Sequence, residues 1–203
     1  MSRYILDTCS IMHFLAVGEQ NALIKVAEHT GCRLAVCTQV QKEILTVSQK
    51  PKFSRTGAAG NWNNIRGSRV EVLPDDITKD DGLAAAMEDL HDADDYDGEL
   101  SARLDDNTDL GEFVSVAHAL CLARQGHVVT VIVDDHYGRE LVEIAADLLA
   151  DFNPRCGQLG VSSARKVFEA AEQLDPLCIK AKSAHAAFAL IHKRTGDTVP
   201  TWT

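Results

Sequence analysis

Two strand-like segments of this chain each end in aspartate and are followed by a helix-like segment. Tyr4–Leu6 is a short apolar run that stops at Asp7. Val128–Val133 is a β-branched run typical of a buried parallel strand, and it stops at Asp134 and Asp135. Open α/β sheets bind ligands beyond the carboxyl ends of their strands. The pattern therefore predicts an α/β fold in which acidic side chains gather at one edge of the sheet.

The rest of the chain also alternates between strand and helix patterns, which predicts a three-layer α/β/α fold with a central parallel sheet. Strands are predicted at 3–7, 33–37, 69–73 and 128–133. Helices are predicted near 9–16, 19–29, 38–48, 79–92, 137–150, 162–174 and 177–194, with a further helix that Thr108 or Asp109 caps and that runs to about 125. The connection from 48 to 69 is predicted to be irregular, and at 203 residues we expect one domain.

Four acids are the candidate metal ligands: Asp7, Glu43, Glu112 and Asp134. Glu43 lies on the predicted helix 38–48, and Glu112 lies in the first turn of the helix that follows Asp109. Carboxylates that share a pocket repel one another and are costly to desolvate, unless a cation neutralises them. The alternatives are a helix cap for Asp7 and Asp134, a first-turn acid for Glu112, and an exposed surface residue for Glu43. Asp135 is predicted to be a second metal contact or a water anchor.

Polar residues beside these acids are further candidates for the site. The Thr8 and Ser10 hydroxyls are predicted to bond a metal-bound water or a carboxylate ligand, with helix capping as the alternative for Ser10. Arg139 follows Asp135 by about one helical turn, where a guanidinium would hold an acidic ligand or a substrate phosphate. The alternative for Arg139 is a surface residue. The histidines show no ligand spacing and are interpreted as packing or surface residues, namely His13, His118, His127 and His136.

Two segments of the sequence resemble the PIN-domain nucleases. Tyr4 to Ile11 resembles the opening strand of that family with its first metal-binding Asp. Asp109-Leu110-Gly111-Glu112, the following helix, the strand that ends in Asp134-Asp135, and Gly138-Arg139 resemble the toxin-like branch of the family. Thr38 to Leu45 resembles the helix with the second acid. The resemblance covers roughly residues 3 to 150, and it implies a PIN-like nuclease domain at 1–150 with a helical extension at 151–203 packed on the same domain.

The resemblance implies hydrolysis of single-stranded RNA to leave a 5'-phosphate, with Asp7, Glu43, Glu112 and Asp134 holding Mg2+ or Mn2+. Many members of the family are toxins of toxin-antitoxin pairs. An antitoxin protein and a second copy of the chain are therefore candidate partners. Two other functions stay open: a catalytically silent binding or scaffold module that uses the acidic segment 75–109 as its interface, and another metal-dependent phosphohydrolase that acts on a small phosphate ester.

A net charge of -10 argues against a nucleic-acid partner, but the charge is unevenly distributed. The segment 75–109 is dominated by acids, whereas the stretch from 50 to 69 is basic and almost free of acids. We expect this stretch to lie at the rim of the acidic pocket and to bind RNA. Its candidate contacts are phosphate binding by Lys52, Arg55 and Arg66 and base stacking by Trp62.

Composition restricts the compartment and the redox chemistry. No apolar stretch approaches the roughly 20 residues of a membrane-spanning helix, and Met1-Ser2-Arg3 runs directly into the first strand. We therefore expect a cytoplasmic protein with no membrane partner. The six cysteines have neither CxxC pairing nor His spacing suited to zinc. They are interpreted as reduced, packed thiols.

Overall fold

The structure is a computed structural model that describes residues 1–106, 108–152 and 156–195. Its strands are β1 (Ser2–Leu6), β2 (Arg33–Cys37), β3 (Val70–Leu73), β4 (Val128–Ile132) and β5 (Gln158–Ser162). The helices in the first half are α1 (Thr8–Val17), α2 (Gln20–Thr30), α3 (Thr38–Val47), α4 (Pro51–Ser54) and α5 (Ala58–Ile65). The later helices are α6 (Asp81–Ala93), α7 (Leu100–Asp105), α8 (Leu110–Arg124), α9 (His136–Phe152), α10 (Ala164–Leu174) and α11 (Ala184–Thr195), and a 3-10 turn covers Pro176–Cys178.

The five strands form one parallel sheet in the order β3-β2-β1-β4-β5. Ile5 of β1 pairs with Ala35 of β2 on one side and with Val131 of β4 on the other. The chain builds outward from β1 in one direction through β2 and β3, and then returns to build β4 and β5 in the other direction. The boundary between β1 and β4 is therefore the topological switch point, where doubly wound sheets bind their ligands.

Helices cover the sheet in two layers. On one side α6, α8 and α9 pack against one another, and on the other α1, α2, α10 and α11 do so. The rings of Phe14 in α1 and Phe168 in α10 stack with centroids 4.5 Å apart. The three-layer α/β/α fold that the alternating pattern predicted is confirmed. No helix in the described ranges is both long and apolar enough to cross a membrane.

Two parts of the predicted organisation need correction. The stretch from 48 to 69 is not irregular, because it contains α4 and α5. The C-terminal part is not purely helical either, since β5 pairs with β4 along its length, from Val128 with Gln158 to Ile132 with Ser162. Residues 151–203 therefore supply an edge strand of the same sheet as well as α10 and α11. Residues 153–155 and 196–203 lie outside the described residues.

Candidate metal centre

Asp7 lies at the switch point, directly after β1. Its backbone N-H donates to Ile132 O of β4 (3.2 Å), and its Oδ1 accepts from Ser10 N (2.8 Å), which caps α1. The side chain has no exposed surface, and its Oδ2 has no hydrogen-bond partner in the described part of the chain. Burial raises the pKa of Asp7 well above its usual value, and the charges of Asp134 and Glu112 raise it further. Helix capping explains one oxygen of this carboxylate and leaves the other without a partner.

Glu112 approaches Asp7 from the first turn of α8. Burial raises the pKa of Glu112 to about 7, and the neighbouring charges of Asp135 and Glu43 contribute. One carboxylate oxygen from each of Asp7 and Glu112, together with Cys9 Sγ, lie within 4.8 Å of one another. Two carboxylates this close hold a dication well, because the cation cancels both their repulsion and their cost of burial.

Glu43 reaches the same region from the middle of α3. Its Oε2 accepts a hydrogen bond from Thr8 Oγ1, and its Oε1 accepts from Gln39 Nε2 (2.9 Å). A Cβ added at Gly111 would lie 2.5 Å from Glu43 Oε2, so the glycine before Glu112 gives Glu43 the space it occupies. Glu43 is thus held between Thr8, which follows Asp7, and Gly111, which precedes Glu112.

Asp134 completes the acidic group, but hydrogen bonds already engage both of its oxygens. Oδ1 accepts from Ala164 N (2.9 Å), while Oδ2 accepts from Ser10 Oγ (3.2 Å) and lies 3.0 Å from His13 Nδ1. A carboxylate offers about four acceptor positions, so about one remains. Ser10 has no exposed surface and bonds Asp134. The Ser10 hydroxyl thus bonds a carboxylate, one of the two contacts predicted for it, and Thr8, 7% exposed, does the same at Glu43.

Asp135 directly follows Asp134, and its charge acts on Glu112. Its Oδ1 accepts from Gly138 N (2.6 Å), and its Oδ2 is buried without a hydrogen-bond partner among the described residues. A Cβ at Gly138 would collide with Val133 and press on Asp135. Gly138 therefore allows α9 to begin close to the end of β4, which keeps the Asp135 charge near Glu112.

A second pair of aspartate and histidine fixes the helices that carry the glutamates. Asp75 follows β3 and accepts hydrogen bonds from Thr38 N (3.1 Å) and Gln39 N (2.6 Å) at the start of α3. Its Oδ1 also lies 2.9 Å from His118 Nε2 of α8. Asp75 thus connects α3, which carries Glu43, to α8, which carries Glu112.

The cations near this group are few. No lysine or arginine in the described ranges forms an ion pair with Asp7, Glu43, Glu112 or Asp134. Arg139, in the first turn of α9, is exposed and has no described partner. It lies five residues after Asp134, beyond the carboxyl end of β4. Hydrogen bonds rather than basic side chains are therefore the described partners of these acids, and no described lysine or arginine offsets the cost of burying their charge.

One residue of the basic stretch lies away from the rim of the acidic pocket. Arg66 forms an isolated bridge with Val70, the first residue of β3, and so lies at the amino edge of the sheet. The four residues of β3 separate it from the carboxyl edge, where the acids lie, by roughly 13 Å. The prediction that Arg66 lines the rim is therefore wrong. Lys52 and Arg55 are exposed beyond the end of α3, and their RNA contacts stay predictions.

Trp62 cannot stack on an RNA base, because its side chain has no exposed surface. It lies in α5, which packs against α1 and α3. Phe53 is also buried, at 3% exposure, with Lys52 Nζ 4.8 Å from its ring centroid. Both aromatic residues of the basic stretch therefore belong to the core.

Comparison of the chain with protein-family models, curated proteins and solved structures gave no match.

Two residues of the site were missed by the sequence interpretation. His13 is 6% exposed and contacts Asp134, and its spacing of three residues from Ser10 places the two on one face of α1. Cys9 is exposed and lies beside Asp7 and Glu112, although the cysteines were interpreted as packed thiols. The sequence position of Cys9, between the predicted site residues Thr8 and Ser10, was the signal that could have identified it as part of the site.

Proposed function

We propose that the chain is a metal-dependent endoribonuclease of the PIN-like type that hydrolyses single-stranded RNA. The observation that carries the proposal is the buried Asp7 carboxylate at the switch point, whose Oδ2 has no described partner and which lies beside Glu112. A carboxylate buried in this way is costly unless it neutralises a cation. The donor set is rich in oxygen and fits Mg2+ or Mn2+.

Each acid has a part in this proposal. Asp7 and Glu112 would hold the cation directly. Glu43 and Asp134 would border it, with side chains fixed by Thr8, Ser10 and His13. Asp135 adds negative charge beside Glu112. A bound Mg2+ or Mn2+ would activate water and stabilise the leaving oxygen of a phosphodiester. Arg139, exposed in the first turn of α9, would bind an RNA phosphate and offset the negative potential of the site.

The experiment is a cleavage assay on mixed single-stranded RNA oligonucleotides with Mg2+, Mn2+ or a chelator. Asp7→Asn should abolish cleavage, because it removes the charge that holds the cation. The fold should survive, since the Asn side chain still accepts from Ser10 N, and thermal stability without metal should hold or rise. The matched control is Asp92→Asn, an exposed acid on α6, which should cleave like the wild type. Equal activity in wild type and Asp7→Asn would falsify the assignment.

The same assay distinguishes the other functions. Cleavage of a small phosphate ester without cleavage of RNA would favour a different phosphohydrolase, and inactivity toward both substrates would favour a binding module. Mapping of the product ends tests the expected 5'-phosphate. The antitoxin and the second copy of the chain stay predictions, as does a cytoplasmic location.

A further inference from the structure

Cys9 differs from every other residue of α1. The remaining nine residues of this helix are buried, from Thr8 to Val17, whereas Cys9 is exposed. α1 therefore meets solvent at its first turn, directly beside the carboxylate of Asp7. The exposed thiol is accessible to a cation from solvent.

The geometry makes Cys9 a potential ligand. Cys9 Sγ and one oxygen from each of Asp7 and Glu112 lie within 4.8 Å of one another. Two ligand atoms bound to one tetrahedral cation are separated by roughly 3 to 4 Å, given bonds of about 2.0 to 2.3 Å. Small side-chain rotations would bring the three atoms to that separation.

An independent observation indicates a ligand at the same point. Asp7 is completely buried, and its Oδ2 has no described hydrogen-bond partner. The other two acids are less available, because Thr8 and Gln39 bond both oxygens of Glu43, and three polar atoms contact the carboxylate of Asp134. Asp7 therefore keeps an oxygen for a cation, and Glu112 and Cys9 offer the ligand atoms that lie beside it.

We propose that Cys9 supplies a thiolate to this centre, so that the site binds a thiophilic cation of the Zn2+ class more tightly than Mg2+ or Mn2+. The inference rests on the metal site of the proposed function and adds a way to control it. Thiolate ligands favour zinc and related cations, whereas Mg2+ takes oxygen ligands. On binding, the Cys9 thiol releases its proton to solvent. Zinc then occupies the oxygens of Asp7 and Glu112 and displaces the cation that cleavage uses.

The test is titration of the metal-free, full-length protein with Co2+, a spectroscopic substitute for zinc. A thiolate bound to Co2+ gives a charge-transfer band in the near ultraviolet. The band should appear in the wild type, disappear on addition of one equivalent of Zn2+, and persist in a large excess of Mg2+. It should be absent in Cys9→Ser. The matched control is Cys32→Ser, a half-exposed cysteine that precedes β2 at the amino edge of the sheet, and it should keep the band.

Zinc affinity gives a second measurement. It should fall by at least about tenfold in Cys9→Ser, the lower limit found when even outer-shell partners of a metal are removed. In the wild type, zinc should also slow alkylation of Cys9 by iodoacetamide, mapped by mass spectrometry, and this readout needs no variant. An absent band in the wild type, an unchanged band in Cys9→Ser, or alkylation that zinc does not slow would each overturn the inference.

These readouts do not depend on cleavage, so the two proposals fail separately. RNA cleavage with Mg2+ by a protein that shows no thiolate band would overturn the thiolate ligand and leave the nuclease. A thiolate band in a protein that cleaves no RNA would overturn the nuclease and leave the thiolate ligand.

Discussion

Glu112→Gln should stabilise the metal-free protein at neutral and alkaline pH but not at acid pH. Burial raises the pKa of Glu112 to about 7 in the folded state, from an ordinary value of 4.5. Between these two values the folded protein retains a proton that the unfolded chain releases, so the free energy of unfolding falls as the pH rises. Below the lower value Glu112 is protonated in both the folded and the unfolded chain, so its ionisation does not lower the free energy of unfolding.

The magnitude follows from the size of the shift. Each pKa unit corresponds to about 1.4 kcal/mol, so full ionisation of Glu112 destabilises the fold by about 3 kcal/mol. Glutamine cannot ionise and avoids this cost. The stability difference between Glu112→Gln and the wild type should therefore grow by up to about 3 kcal/mol between roughly pH 4.5 and pH 8.

Urea unfolding in the presence of a chelator, followed across this pH range, measures the difference. The matched control is Glu88→Gln, an exposed glutamate on α6, which should show no such dependence on pH. Addition of Mn2+ to the wild type at about 100 times its Kd should restore roughly 2.7 kcal/mol and cancel most of the advantage of glutamine. A stability difference that is the same at both ends of the pH range would refute the assignment of a buried, repelled carboxyl group to Glu112.

Three further substitutions test the surroundings of the site. Gly111→Ala should weaken Mn2+ binding in calorimetry, because the new Cβ displaces Glu43. The control Gly60→Ala, with no atom near its added Cβ, should keep binding unchanged and raise stability by about 0.5 to 1 kcal/mol. Equal Mn2+ binding by both variants would contradict this role of Gly111. Arg103→Ala should lower the free energy of unfolding by roughly 3 kcal/mol, because Arg103 is 4% exposed and its Nη2 lies 2.6 Å from Asp94 Oδ2. A loss below about 1 kcal/mol in urea unfolding would indicate that the pair is solvated. Arg139→Ala should weaken RNA binding and reduce its salt slope by about 0.7 while Mn2+ affinity holds, and an unchanged slope would place the phosphate contact elsewhere.

The strand ends could be predicted from sequence because their signals are local. The runs before Asp7 and Asp134 each end in consecutive buried apolar residues, Ile5 and Leu6 in one and Val131 to Val133 in the other. Consecutive strand residues point to opposite faces, so both faces are buried there and hydrophobicity identifies the strand ends. Parallel pairing then brings their carboxyl ends to one edge, whichever helices connect them. This is why the acidic residues could be chosen before any coordinates were known.

Other elements have no comparable local signal. β5 is a half-exposed edge strand with a central Gly160, and its pairing with β4 makes it a strand. α5 contains Gly60 and asparagines that suggest a loop, yet packing against α1 and α3 buries Trp62 within it. In both cases tertiary contacts override a weak intrinsic propensity.

The sequence by itself determined the fold class and the acids at the strand ends, because periodicity and strand polarity follow from short stretches of chain. Only the tertiary structure decided how deeply each carboxylate is buried and which hydrogen bonds it accepts. Ser10 and His13 of α1 and Ala164 N of α10 surround Asp134, while Asp7 keeps one oxygen without a described partner beside Cys9. The contacts of Ser10 and His13 with Asp134 join residues that are 124 and 121 positions apart in the chain. Hydrogen bonding and burial, which set the pKa and the capacity for a cation, exist only once the helices have packed.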